Sequence, residues 1–205
     1  MAESFTQVPP NSTGNKMRTR SRVIGADTVH EQAVFTSAVP TYYAVADAVA
    51  FANGKTHFSI VNEAGSGVLV AIKKLFAINL QTSAVTGAAL RMEARKLTAH
   101  SGGTAITAQS CDSDNAALPA QVTIKTNGTP TGTTLLYPFI ITTEEETATA
   151  AATKNLMQAM FNLQPEGGEV QEYRLREGQG FSIYQSTNAT VGSYAWFMVF
   201  TVEPL

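Results

Sequence analysis

The chain has 205 residues, 44% hydrophobic and 15% charged, with a net charge of −2, so one well-buried domain is the first expectation. Charge well below the usual ~25% leaves a surface rich in Thr, Ser, Ala, Asn and Gln, and offers no global field to draw in nucleic acid or an anionic membrane. A lone Cys111 excludes an internal disulfide and a Cys-based zinc site.

No apolar h-region occupies the first 30 residues and no run approaches ~18 apolar residues. The expectation is a protein made in a host cytoplasm, with neither secretion signal nor membrane span. Residues 1–30 hold two prolines and little periodicity, the composition of an extended arm. Within it Lys16, Arg18, Arg20 and Arg22 face Glu3 alone, so residues 1–22 carry +3 and the remainder −5. These four cations are the candidate partner-binding residues. An arm that cannot bury itself is expected to lie across a neighbouring subunit. Residues 31–205 then form a single β-sandwich domain.

Beyond the arm, apolar runs are short and broken by Gly, Asn and Pro, which reads as strands. "HFSIVNE" alternates Phe58 and Ile60 with Ser59. "SGVLVAIKKLFAINLQ" is a longer strand that a bulge divides. "AALRMEARKL" sends Leu90, Met92 and Ala94 one way and Arg91, Glu93 and Arg95 the other, the period-two pattern of a strand with one wet face. Helix formers populate that segment, but the alternation favours strand.

Residues 101–134 are rich in turn formers and read as a surface excursion with one strand at Val122–Lys125. "LLYPFIITTEEE" returns to the core, and Pro138 inside it points to an edge strand or a bulge. "TATAAATKNLMQAMFNL" is the helix candidate, with Thr147 or Thr149 as cap and Leu156, Met160 and Leu163 at i, i+4, i+7. "SYAWFMVFTVEPL" closes the chain as a strand buried on both faces or against a neighbouring subunit. The sum is about eight strands and one short helix without regular strand–helix alternation. An antiparallel two-sheet sandwich of jelly-roll type is therefore expected.

"LREGQGFSIYQ" raises the question of chemistry. Gly178 and Gly180 begin a dinucleotide fingerprint, but its third glycine would stand near Ile183, and a strand pattern follows where a helix is needed. The pair is read as a structural turn. His30, His57 and His100 stand far apart, without the close pair that a metal-binding cupin uses. Asp112 and Asp114 resemble half a calcium loop without its glycine and closing Glu. Glu144, Glu145 and Glu146 read as an acidic patch, and nothing near Cys111 would activate its thiol. No enzyme, cofactor or metal site is expected.

"EYRLREGQGFSIYQSTNATVGSYAWFMVFTVEP" resembles the closing strands of small jelly-roll virion proteins of tailed bacteriophages, and "HFSIVNEAGSGVLVAIKKL" is similar to their opening strand pair. The resemblance covers roughly residues 55–100 and 135–204. It implies a capsid decoration, or cement, protein on the virion's outer surface, commonly a homotrimer, that clamps neighbouring major capsid proteins. It implies no catalytic residue, cofactor, membrane or nucleic acid. The alternative is a tail or baseplate jelly roll that binds host glycan, with Tyr184, Tyr194 and Trp196 as candidate contacts. A cupin-type enzyme is the third class.

Overall fold

The computed structural model describes residues 3–7, 16–24, 27–32, 39–80, 89–142, 157–162, 173–186 and 192–205. The chain divides into two units, Met1–Ala38 and Val39–Leu205. In the first, β1 (Glu3–Gln7), β2 (Lys16–Ile24) and β3 (Asp27–Gln32) form an antiparallel sheet in the order β1-β2-β3. Over these described residues the chain forms a small meander. Lys16, Arg18, Arg20 and Arg22 stand at alternate positions of the middle strand, hence on one face of it.

The second unit contains β4 (Thr41–Ala50), β5 (Lys55–Asn62), β6 (Val68–Asn79), β7 (Ala89–Leu97), β8 (Ala99–Ser101), β9 (Thr104–Ala105) and β10 (Gln109–Ser110). It continues with β11 (Val122–Thr126), β12 (Thr129–Thr131), β13 (Thr134–Thr142), β14 (Met157–Asn162), β15 (Tyr173–Leu175), β16 (Gln179–Gln185) and β17 (Ser193–Pro204). One sheet runs β10-β4-β17-β6-β14, with β15 on the same edge of β6 as β14. The other runs β13-β7-β16-β5-β11-β9, and β12 and β8 form a separate ribbon. Every pairing is antiparallel. From β4 to β7 the chain changes sheet at each strand, and it does so again from β15 to β17.

The two sheets make a sandwich because each turns one apolar phase of its alternation inward. From the first come Trp196, Met198 and Phe200 of β17 with Ile72 and Leu75 of β6; from the second come Phe58, Ile60, Leu90, Met92, Phe181 and Ile183. All are essentially inaccessible, and burying each such side chain contributes roughly 1.5–3 kcal/mol. The strand reading of "AALRMEARKL" holds, with Leu90, Met92 and Ala94 in the core. Its other face is less wet than expected: Glu93 is 4% exposed, held between Arg91 and Arg95.

Pro138 lies on β13, which is an edge strand and carries a register shift between Leu135 and Tyr137. An edge tolerates the missing N–H. β6 is likewise interrupted, its partner β17 changing register between Val199 and Phe200 so that Lys73 is extra.

The helix expectation is corrected. Among the described residues there is no helix, and Met157–Asn162 is a strand that occupies the edge of β6 from Ile78 to Lys74. Helix preference is worth only tenths of a kcal/mol per residue, and a ready ladder on an open sheet edge outweighs it. Thr147, Thr149, Leu156, Leu163 and the three glutamates Glu144, Glu145 and Glu146 lie outside the described residues. The excursion is also more structured than its composition suggests: β11 joins the second sheet, and the β8–β12 ribbon packs on β5.

Candidate functional sites

The Gly178–Gly180 segment links β15 to β16. Gln179 N–H donates to Arg176 O at 3.0 Å, closing a turn in which Gly178 takes φ 74°. Gly180 is needed for a different reason: a Cβ there would lie 2.7 Å from Ile60 O and 2.9 Å from Val61 Cγ2. A phosphate cradle needs free amides. Here Gly178 N–H donates to Asn62 O (2.7 Å) and Arg176 N–H to Gln179 Oε1 (3.0 Å), so the donors are consumed by the protein itself. A strand follows, with no helix dipole. Glu177 on the same turn accepts from Gly67 N–H (2.8 Å), and backbone hydrogen bonds from Gly67 and Gly65 hold its carboxyl below the usual range.

Beside this turn lies an open cleft of ≈ 540 Å³, lined in part by Lys96, Thr98, Tyr173, Gln179 and Phe181. The rings of Tyr173 and Phe181 are 5.6 Å apart. Among the described residues the titratable side chains of the lining are Lys96, Tyr173 and Arg174.

His57 is the extra residue where β5 and β16 lose register between Ile183 and Tyr184, and the bulge turns its ring inward. The indole N–H of Trp196 donates to His57 Nδ1 at 3.3 Å, so the ring proton sits on Nε2 and is donated to Gln185 Oε1 at 2.8 Å. Gln185 Oε1 also accepts from Ala52 N–H at 2.9 Å. Burial lowers the pKa of His57 against the opposing effect of the Gln185 bond, which leaves a neutral core histidine with both nitrogens engaged.

His100 anchors the excursion. Its Nδ1 meets Ser59 Oγ at 2.7 Å and its Nε2 meets Thr123 Oγ1 at 2.9 Å, while Thr123 donates to Glu63 Oε1 at 2.9 Å. The outline is that of a serine–histidine–acid relay with a threonine inserted. It does not make a nucleophile, because Ser59 is fully buried and its hydroxyl also lies 3.1 Å from Lys125 O. Burial first, then the Lys125 charge, lowers His100 to about 4, with Glu63 opposing. The neutral ring works as a clamp between β8, β5 and β11. The three histidines are solitary in the sequence, and only the fold brings Ser59, Thr123 and Glu63 to His100.

Arg95 Nε donates to Glu93 Oε2 at 2.7 Å, Arg91 reaches the other oxygen at 3.2 Å, and the Arg95 guanidinium stacks 4.0 Å from the Tyr184 ring centroid. Tyr194 and Trp196, the candidate glycan contacts with Tyr184, are 3% and 0% exposed and belong to the core. Asp112 Oδ1 accepts from Asp114 N–H at 3.0 Å, a local turn. Among the described residues no cluster of three or more His, Cys, Asp or Glu could hold a metal, and no helix is long and apolar enough to cross a membrane. Lys16, Arg18, Arg20 and Arg22 belong to the first unit, and His30 stands on β3 there.

The surface of the first sheet is unusual. Tyr43, Val45, Phe76, Ile78, Ala195, Phe197 and Val199 occupy the phase opposite to the core on β4, β6 and β17, with Lys74 and Asp47 the charges among them. The signal was present in "SYAWFMVF", where both phases of the alternation are apolar. Comparison with protein-family models, with curated proteins and with solved structures finds no match to this chain.

Proposed function

We propose that this chain is a structural, non-catalytic virion protein that decorates a bacteriophage capsid and stabilises it by bridging major capsid proteins. The observation that carries the reading is the strand order. β4-β17-β6 with β14 and β15 on one side, against β5-β16-β7-β13 on the other, supports a jelly-roll reading in which β14 and β15 count as one broken strand. Fold alone does not give function. The resemblance of the strand sequences to phage virion jelly rolls adds to it, as does a weakly charged surface rich in Thr and Ala.

On this reading the four cations of β2 contact a shell subunit, and many copies on a lattice are retained through avidity. The chain acts on the outer capsid surface, with itself, as a homotrimer, and the major capsid protein as partners, and needs no cofactor, membrane or nucleic acid. The test is to mix purified protein with undecorated heads, sediment them, and image them by electron microscopy. Regular density on the shell with co-sedimentation is expected; protein left in the supernatant at saturating concentration would refute the proposal.

A second reading, a tail or baseplate protein that binds host glycan, is favoured by the cleft where the Tyr173 and Phe181 rings meet Lys96 and Gln179. Sugar-dependent binding on a glycan array, lost in Tyr173→Ala and without binding to heads, would select it.

A further inference from the structure

We infer that the outer face of the first sheet, centred on Val45, Phe197 and Phe76, is the surface through which one copy of this chain binds a second. These three residues are in register across β4, β17 and β6. Phe197 is the hub: its ring centroid lies 6.1 Å from that of Tyr43 and 6.2 Å from that of Phe76. Val45 is 46% exposed. One sheet face of a sandwich is ordinarily polar, since only the other packs in the core. Here both phases are apolar over Tyr43–Val45, Phe76–Ile78 and Ala195–Val199, and among the described residues those strands contact their sheet neighbours and the second sheet.

The occupant follows from charge and shape. Nucleic acid, an acidic peptide or a basic tail would need a run of complementary charges, and beside its apolar residues the face offers Lys74 and Asp47, one of each sign. A second copy presents the same face, on which Lys74 and Asp47 can meet their opposites. A sheet face is also the natural cover for a sheet face, as the interior of this sandwich already shows. Closed, symmetric self-association is the commonest form of soluble oligomer. The inference requires self-association alone, so oligomeric mass tests it apart from capsid binding.

The experiment is light scattering after size exclusion on the full chain, at micromolar concentration, with circular dichroism to confirm folding. The unmodified protein is expected at a multiple of the monomer mass. Val45→Glu, at an exposed position where folding is not at issue, is expected to shift it to monomer with at least a tenfold weaker association. Phe197→Thr should act in the same direction. Ile140→Glu, on an exposed position of β13 in the other sheet, should leave the mass unchanged. An unmodified protein that is monomeric, or a folded Val45→Glu variant that keeps the full oligomeric mass, overturns the inference.

Discussion

Two glycines one residue apart carry different constraints, and substitution separates them. At Gly178 a side chain meets open space, so Gly178→Ala is opposed by the left-handed backbone alone, about 1 kcal/mol. Gly178→Asn should recover much of that loss, because Asn tolerates the conformation. At Gly180 the obstacle is the Ile60 carbonyl, a backbone atom that cannot step aside, and both Ala and Asn should cost about 1–3 kcal/mol. Chemical denaturation of the four variants checks this; an Asn that rescues position 180 as well as 178 contradicts the assignment. Ala48 supplies the converse case. It is exposed with φ 49°, where the register of β4 against β17 breaks between Tyr194 and Trp196, so Ala48→Gly is expected to stabilise by about 0.5–1 kcal/mol.

His100 gives the residue scale its pH dependence. In the unfolded chain its pKa is near ~6.5 and in the fold it is lowered to about 4. Between those values the unfolded state binds more protons, so stability is full above ~6.5 and falls as pH drops toward 4. His57, lowered in the same direction by burial, adds to the loss. Melting temperatures measured from pH 7 to pH 5 should therefore decline. His100→Gln, which keeps a donor toward Thr123, should flatten the slope over that window; an unchanged slope would show that His100 does not titrate there.

At the scale of the element, what the sequence made legible was alternation. The inward phases of β7, β16 and β17 are readable from residues 90–94, 181–183 and 194–200 because local period and final burial agree. Pro138 on an edge was legible for the same reason: a missing donor has one cheap location. The helix expectation failed where a local pattern, Leu156, Met160 and Leu163, competed with an open edge of β6 far away in sequence. The polar clamp was invisible, since Ser59 and His100 are 41 residues apart and nothing local marks them as partners. The clamp should matter to the excursion more than to the core. Ser59→Ala removes one ring contact, and is expected to speed amide hydrogen exchange in β8 and β12 about tenfold while leaving β17 unchanged. Equal acceleration in both places would mean that the excursion and sandwich open as one.

At the scale of the whole molecule, the proposed function makes the division at Ala38 one between burial and attachment. The core residues described in Val39–Leu205 give that unit an apolar interior drawn from both of its sheets. The first unit holds the four alternate cations of β2, whose charge opposes the acidic remainder of the chain. Stability and attachment should therefore respond to different deletions. A chain beginning at Val39 is expected to fold, with a melting temperature within a few degrees of the full chain, since it keeps the described core of both sheets. Its sedimentation with capsids should fall at least tenfold. Replacing Lys16, Arg18, Arg20 and Arg22 together by Ser in the full chain should reproduce most of that loss and make the remaining binding less sensitive to salt, because exposed charge pairs are screened over about 8–10 Å at physiological ionic strength. Retained binding in the truncated chain would move attachment onto the sandwich itself. A melting temperature that collapses on truncation would instead make the first unit part of the fold, and the β2 cations would then have to be tested in the full chain alone.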